Sequence, residues 1–284
     1  MKKLIQFRTA ASLYSGAFDN VAGWSAAGMG YVIVTSNGRF IVIDGGHKED
    51  SLALIGLIEK YSGKARPTVD LWIITHSHGD HYGALQNIAE SDELRSRICV
   101  KELCYYFPAE FKDRGKRLCN LEPIEDMKRI QTLLGTKHYS PQIDDKLYVD
   151  GTELHFLYVP TDHSLINGSY NSNACSLIFT LMGKNKRVMI TGDAVPHTMQ
   201  LTLEKFDGQL ACDILQMPHH ALCDTGNIEF YKQVDAKTLL MPISVAGDRA
   251  MRELYFEHNA ANRWAQENAH TLYKAFENTQ EIDI

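Results

Sequence analysis

The chain has 284 residues, 44% of them hydrophobic and 23% charged, which is typical of a globular protein with an ample core. Its formal charge of −6 offers no broad basic field, which argues against long nucleic acid as a partner, whereas a short phosphodiester or another small molecule is compatible. No apolar run reaches the roughly 20 residues that a membrane helix needs, so no membrane association is expected.

The six cysteines are scattered without a Cys-x-x-Cys pair, which fits neither a zinc ribbon nor a small disulfide framework. Polar residues after Lys2 and Lys3 interrupt any apolar segment before it reaches signal-peptide length. We therefore expect a cytoplasmic protein with reduced thiols. No linker, low-complexity tract or repeat marks a boundary, so residues 1–284 are expected to form one domain, and the oligomeric state stays open.

The first half of the chain predicts a hairpin followed by helices and strands. The β-branched runs 31–35 and 40–43 flank Ser36-Asn37-Gly38, and Asn-Gly between such runs is a strong hairpin signal. Apolar spacing and capping signals predict helices at 49–61, 80–89 and 123–134. The apolar run 69–75 predicts a buried strand.

The second half predicts mainly buried strands, at 152–159, 176–182, 187–191, 214–217 and 238–241. One long helix is predicted at 249–268. The segments 271–276 and 281–284 are predicted to form a closing pair of strands across Glu277-Asn278-Thr279. Strands and helices mixed in this order indicate a layered α/β architecture.

Three histidines and an aspartate lie within the segment His76-Ser77-His78-Gly79-Asp80-His81, directly after the predicted strand 69–75. In an extended chain His76 and His78 point to the same side and can bind one ion. Gly79 frees the following turn, so Asp80 and His81 can reach a second ion nearby. Imidazole and carboxylate donors suit Zn²⁺, Fe or Mn. The motif therefore predicts a site for two divalent metal ions, with zinc as the first choice and Mn or Fe as alternatives.

Two later segments can complete such a site. Asp193 follows the predicted strand 187–191, and its carboxylate can bridge both ions. His219 and His220 follow the predicted strand 214–217, and at least one of them can bind the second ion. The sequence leaves open which of the two histidines is the ligand.

This pattern resembles the metallo-beta-lactamase superfamily, whose His-x-His-x-Asp-His signature is matched in full at 76–81. Asp44 resembles the family's early aspartate, Gly192-Asp193 its Gly-Asp element, and His219 or His220 its late histidine. The resemblance implies an α/β (α+β) fold, an αββα four-layer sandwich of two mixed β-sheets with the dinuclear site along one edge. Asp44 is expected to support a ligand histidine from behind rather than to bind metal.

Within the superfamily, Asn173-Ala174-Cys175-Ser176-Leu177 and the double histidine resemble the ComEC/Rec2 competence group and phosphorylcholine-esterase-like members. Ala221 stands where this subgroup usually has glycine. The family commonly supplies a third histidine to the first metal, for which His163 is the best candidate and His138 and His155 are weaker ones. Alternatively, His163 contacts the substrate, or Asn173 or water fills the third position.

The resemblance implies a metal-dependent hydrolase acting on a phosphodiester or related small ester. Two metal ions lower the pKa of bound water from about 15.7 to about 7, which provides hydroxide at neutral pH. Asp80 and Asp193 are expected to orient this nucleophile, and His163 or the spare member of His219 and His220 to protonate the leaving group. The alternatives are a lactonase or thioesterase of the same fold, an iron oxidoreductase, and a non-catalytic competence-type binding module.

Overall fold

The structure is a computed structural model and describes residues 2–18, 28–108, 110–113, 116–119, 121–160, 172–222 and 226–284.

The strands of the first sheet surround the predicted hairpin. This sheet contains β1 (Lys3–Gln6), β2 (Gly30–Val34), β3 (Phe40–Asp44), β4 (Thr68–Ile73), β5 (Cys99–Val100), β6 (Glu102–Cys104), β9 (Lys137–Tyr139) and β17 (Gln280–Asp283). Their order is β17-β1-β2-β3-β4-β6-β9, with β5 beside β4. Strands β3, β4, β6 and β9 are parallel, whereas the pairs β17-β1, β1-β2 and β2-β3 are antiparallel.

The second sheet has the same mixed character. It contains β10 (Lys146–Val149), β11 (Thr152–Tyr158), β12 (Ile178–Met182), β13 (Arg187–Ile190), β14 (Ile214–Gln216), β15 (Thr238–Met241) and β16 (Thr271–Lys274), in that spatial order. The strands from β13 to β16 are parallel, and those from β10 to β13 are antiparallel. A separate hairpin is formed by β7 (Glu110–Asp113) and β8 (Lys116–Cys119).

Eight α-helices lie in the described part of the chain. They are α1 (Ser51–Ser62), α2 (Gly79–Glu90), α3 (Asp92–Ser96), α4 (Leu121–Leu134), α5 (Pro196–Lys205), α6 (Ile228–Val234), α7 (Val245–Glu253) and α8 (Ala260–Asn268). The stop signals act as expected, because Gly63 and Gly135 have left-handed backbone with φ of 64° and 63°. Each described helix is too short or too polar to cross a bilayer.

Three layers of buried apolar side chains hold the two sheets and the helices together. Along β3, Phe40 and Val42 face a core shared with α1, α2 and α4, whereas Ile41 and Ile43 face the second sheet. This alternation follows from the two-residue period of a strand. The other side of the second sheet packs against α5, α6 and α8. The αββα four-layer sandwich of two mixed sheets is therefore confirmed.

Two sequence-based predictions about the C-terminal part were wrong. The segments 271–276 and 281–284 do not pair with each other, because β16 joins β15 in the second sheet and β17 joins β1 in the first. The turn at 277–279 indicates that the chain reverses, but it carries no information about which sheet each strand joins. The helix predicted at 249–268 is broken between Glu253 and Ala260, which lets α8 pack against α6. Neither Gly nor Pro marks this break.

Candidate metal centre

The candidate site lies where parallel strands of both sheets end. Asp44 is the last residue of β3, and the 76–81 motif follows β4. Asp193 follows β13 and the double histidine follows β14 in the other sheet. The amide of Leu177 donates to the carbonyl of Thr75 at 3.0 Å and ties the two sheets together at this edge. Residues that are far apart in sequence therefore converge on one edge of the sandwich.

The local backbone divides the motif into two parts. His76 follows the strand directly and is fully buried, while His78 has extended backbone with φ of −93° and precedes the first turn of α2. Asp80 and His81 lie in that first turn. The chain turns between the two halves because α2 starts at Gly79, but Gly79 does not have a positive φ, so the start of the helix makes this turn and the special backbone freedom of glycine is not used.

Two groups of donor atoms form around one shared carboxylate. Within each group, one ligand atom per residue lies within 4.8 Å of all the others. The groups are His76, His78 and Asp193, and Asp80, His81, Asp193 and His220. Among the described residues, Asp193 alone belongs to both groups, which is the arrangement that a bridging carboxylate requires.

Distances in the four-residue group fit a cation better than hydrogen bonds. His81 Nε2 lies 3.5 Å from Asp80 Oδ2 and 3.3 Å from Asp193 Oδ1, and His220 Nε2 lies 3.1 Å and 3.5 Å from Asp80 Oδ2 and Asp193 Oδ2. In the described part of the chain, these two nitrogens and Asp193 Oδ1 are nevertheless buried without a hydrogen-bond partner. Zinc bonds of about 2.0–2.2 Å at tetrahedral angles separate ligand atoms by about 3.4 Å. The donor set therefore fits a bound metal ion.

The three-residue group has similar spacing. His76 Nε2 lies 3.0 Å from His78 Nδ1 and 3.6 Å from Asp193 Oδ2. Neither His138 nor His155 joins it, since His138 stacks on Tyr105 and His155 Nε2 lies 2.7 Å from an Asp144 carboxylate oxygen. His163 lies outside the described residues.

Asp44 and Thr75 orient His81 through contacts on the side of the ring away from its metal-binding nitrogen. Asp44 is fully buried, and its Oδ1 accepts the Thr75 amide at 2.8 Å. Its Oδ2 accepts the Thr75 hydroxyl at 2.8 Å and lies 2.8 Å from His81 Nδ1. If His81 Nδ1 carries the proton that Asp44 accepts, Nε2 is free to bind a cation. The carbonyl of Pro242 holds His220 Nδ1 in the same way at 2.9 Å.

The side chains of His219 and His220 point in different directions because the backbone of both residues is left-handed. His219, His220 and Ala221 have φ of 46°, 56° and 60°. His220 enters the four-residue group, whereas His219 Nε2 lies 3.8 Å from Asp193 Oδ2 and 3.3 Å from Asn173 Nδ2. The buried Oδ1 of Asn173 has no hydrogen-bond partner among the described residues, so this amide keeps unused hydrogen-bonding capacity beside His219.

The charges of the centre are strongly coupled. Burial lowers the pKa of His81, but Asp193, Asp80 and Asp44 outweigh it and hold that pKa well above its usual value. The same balance between burial and the carboxylates raises the pKa of His220 to about 10. Burial raises the pKa of Asp193, yet His220 and His81 hold it well below its usual value. By contrast, burial dominates at His76 and lowers its pKa. The negative electrostatic potential of the buried carboxylates Asp80 and Asp193 therefore favours a bound cation beside them.

Sequence reasoning missed two supporting residues, Thr75 and Gln216. Both are fully buried polar side chains at the ends of apolar strands. A polar residue at the end of a buried run is the signal that could have identified them, because such a side chain must find a hydrogen-bond partner.

Comparisons with known proteins agree with this fold. A family model described as the metallo-beta-lactamase superfamily matches residues 27–240. No curated protein sequence matches significantly. The metallo-beta-lactamase fold protein YhfI from Bacillus subtilis is 13% identical with a TM-score of 0.59, each chain being covered to 99%. Zn²⁺-bound PqqB from Methylobacterium extorquens is 11% identical with a TM-score of 0.59, each chain being covered to 100%.

CmlA, a diiron β-hydroxylase from Streptomyces venezuelae, is 12% identical with a TM-score of 0.54, over 99% of this chain and 54% of CmlA. At such identities these three structures support the fold alone. The family model spans most of the chain and includes the whole 76–81 motif, Asp193 and His220. The protein belongs to the metallo-beta-lactamase superfamily.

Proposed function

We propose that this protein is a metal-dependent hydrolase that holds two adjacent divalent ions. The observation that carries the proposal is the carboxylate of Asp193, which belongs to both groups of donor atoms. His76 and His78 would hold one ion with Asp193, and Asp80, His81 and His220 would hold the other with the same carboxylate. Zinc is the first choice, and manganese and iron are the alternatives, since the donors are imidazoles and carboxylates.

The chain's own residues prepare this centre for hydrolysis. Such ions, when bound, polarise a scissile oxygen and lower the pKa of water. Asp80 is the more exposed carboxylate, with 17% of its side chain accessible, and would orient a water molecule at the open side. Burial lowers the pKa of His219, so this ring is neutral at pH 7 and would form a hydrogen bond to a substrate oxygen. His163 stays a candidate for protonating the leaving group.

We propose a phosphodiester or a related small ester as the substrate. The support is the resemblance of the 173–177 segment and the double histidine to the ComEC/Rec2 and phosphorylcholine-esterase-like groups. Asn173 and His219 lie together beside Asp193, where they can contact the oxygens of a tetrahedral phosphate. The likeness in fold to CmlA, which is named as a diiron hydroxylase, keeps an iron oxidoreductase as the second candidate.

The test is metal content of chelator-free protein by elemental analysis, together with turnover of bis-p-nitrophenyl phosphate, a phosphorylcholine ester and a lactone. We expect about two ions per chain and phosphodiester turnover that falls at least about 100-fold in Asp80→Ala. Asp92→Ala is the matched control, because Asp92 is 91% exposed on α3 and pairs with Arg95.

Other outcomes would move the assignment in defined directions. Turnover of the lactone alone would replace the phosphodiesterase by a lactonase. Two iron ions per chain without any hydrolysis would favour the oxidoreductase. Less than one ion per chain after metal repletion, with no turnover, would contradict the hydrolase and favour a binding module.

A further inference from the structure

Gln216, the last residue of β14, connects the two turns that carry Asp193 and the tandem histidines. It is fully buried. Its Oε1 accepts the amide of Thr191 at 2.8 Å and the Thr191 hydroxyl at 3.1 Å. Its Nε2 donates to the carbonyls of Gly192 at 3.0 Å and Met217 at 2.5 Å. One side chain therefore binds the backbone of both turns.

The tandem-histidine turn needs such support because its backbone is strained. Gly192 has φ of 54°, which glycine adopts without strain, whereas His219, His220 and Ala221 are left-handed residues other than glycine. For residues other than glycine this conformation costs about 1–2 kcal/mol each, so it persists only where surrounding contacts enforce it. The amide of His219 donates to the carbonyl of Gly192 at 3.1 Å, and the same carbonyl accepts Gln216 Nε2. The histidine turn is thereby anchored to the Asp193 turn.

We propose that Gln216 is a positioning residue that fixes the position of the Asp193 turn relative to the tandem-histidine turn. It thereby sets the separation of His220 Nε2 and Asp193 Oδ2, which is 3.5 Å. The consequence for metal binding rests on the proposed function, whereas the coupling of the two turns does not. A purely structural role would stabilise the strand ends without a selective effect on the histidine turn or on metal affinity.

The experiment compares Gln216→Met with Gln6→Met. Gln6 is an equally buried glutamine with three hydrogen bonds of its own, to Tyr31, Tyr273 and Gln280, and it belongs to neither donor group. Hydrogen exchange of the Thr191 and His219 amides is measured in metal-free protein, and zinc affinity is measured by chelator competition. Cobalt-substituted protein adds a visible spectrum that reports ligand geometry.

In Gln216→Met we expect both amides to exchange at least about tenfold faster than in Gln6→Met. Exchange of the His219 amide is the decisive measurement. Gln216 does not hydrogen-bond to this amide, so faster exchange there must be transmitted through the Gly192 carbonyl that both groups share. Zinc affinity should fall about 10–100-fold, the usual effect of removing a group that orients metal ligands, and the cobalt spectrum should change. In Gln6→Met, zinc affinity should stay within about twofold of wild type.

Unchanged exchange at His219, or equal losses of zinc affinity in both variants, would overturn the proposal. If wild type binds no zinc, the proposed function fails while the exchange measurement still decides the coupling. Thr191→Val serves as a milder variant in case Gln216→Met does not fold, because it removes only the hydroxyl bonds to Gln216. It should accelerate exchange at the same two amides to a smaller extent.

Discussion

Asp44 shows how one buried carboxylate prepares a metal ligand. Each of its oxygens has a defined partner, since Oδ1 accepts the Thr75 amide and Oδ2 lies against the Thr75 hydroxyl and His81 Nδ1. The backbone of Asp44 is itself left-handed, with φ of 54°, and its carbonyl accepts the indole N–H of Trp72. The end of β3 is thus shaped around the orientation of His81.

Asp44→Asn should therefore weaken metal binding without opening the fold. An amide group has only one acceptor oxygen, so at least one of the three donors would face an N–H group instead. We expect metal affinity to fall about 10–100-fold, as is usual when the partner of a ligand histidine is lost. Chelator competition measures the affinity, and circular dichroism shows whether the fold is retained.

Asp70→Asn is the matched control for this substitution, because Asp70 is also a poorly exposed carboxylate but belongs to neither donor group. Its metal affinity should equal that of wild type. Equal affinity in Asp44→Asn and wild type would contradict the orienting role of Asp44.

A site residue could be predicted from the sequence where its role depends on residues close to it along the chain. His76, His78, Asp80 and His81 could be identified because their spacing alone brings donors together. The choice between His219 and His220 could not, because it depends on a left-handed turn where the sequence has alanine rather than glycine. Thr75 and Gln216 act through long-range hydrogen bonds, and neither has a sequence motif.

The strands of the first sheet are linked at the edge opposite the metal centre by an ion-pair group around Asp70. Asp70 lies on β4, Arg39 precedes β3, and Lys101 lies between β5 and β6. Arg39 binds both carboxylate oxygens, through Nε at 2.9 Å and through Nη2, and Lys101 Nζ lies 2.6 Å from Oδ1. Burial raises the pKa of Asp70, but the two cations outweigh it and lower the pKa below its usual value.

Asp70→Asn should lower the free energy of unfolding by about 1 kcal/mol at pH 7, because both cations are largely exposed. Since the folded pKa is depressed, the stabilisation is fully present above the unfolded pKa of about 3.9. It is lost as the pH falls through the lower folded value. Urea denaturation of wild type and variant over a pH series measures this difference.

Asp92→Asn provides the comparison, because this highly exposed carboxylate pairs with Arg95 on the same helix. Its effect should be within about 0.5 kcal/mol at every pH. A pH-independent difference for Asp70→Asn would show that the ion pairs do not stabilise the sheet.

At the scale of elements, the sequence predicts what local spacing determines. The β2-β3 hairpin, α1, α2 and α4 lie within a few residues of their predicted positions. Strand β1 was not predicted, because its short run gains its partners only from β2 and β17. The sheet assignment of β16 and β17 likewise depends on long-range pairing, and the break between α7 and α8 depends on packing.

Across the whole molecule, the candidate metal centre joins the two halves of the sandwich. The 76–81 motif belongs to the first sheet, whereas Asp193 and His220 follow strands of the second. The ligand atoms are brought together only when both sheets are folded and packed. A bound ion therefore stabilises the native state selectively, since the unfolded chain does not preserve this arrangement.

Removing the metal should consequently lower the melting temperature. At a free ion concentration of about 100 times the dissociation constant, one site contributes about 2.7 kcal/mol, which corresponds to about 4–5 °C for a chain of this length. Calorimetry of chelator-treated and zinc-repleted protein measures the shift. Asp193→Asn should lose most of it, because this carboxylate serves both donor groups, while Asp92→Ala should keep it in full. The same shift in Asp193→Asn as in wild type would mean that zinc acts elsewhere, and that the two sheets are held together by their apolar core without help from the centre.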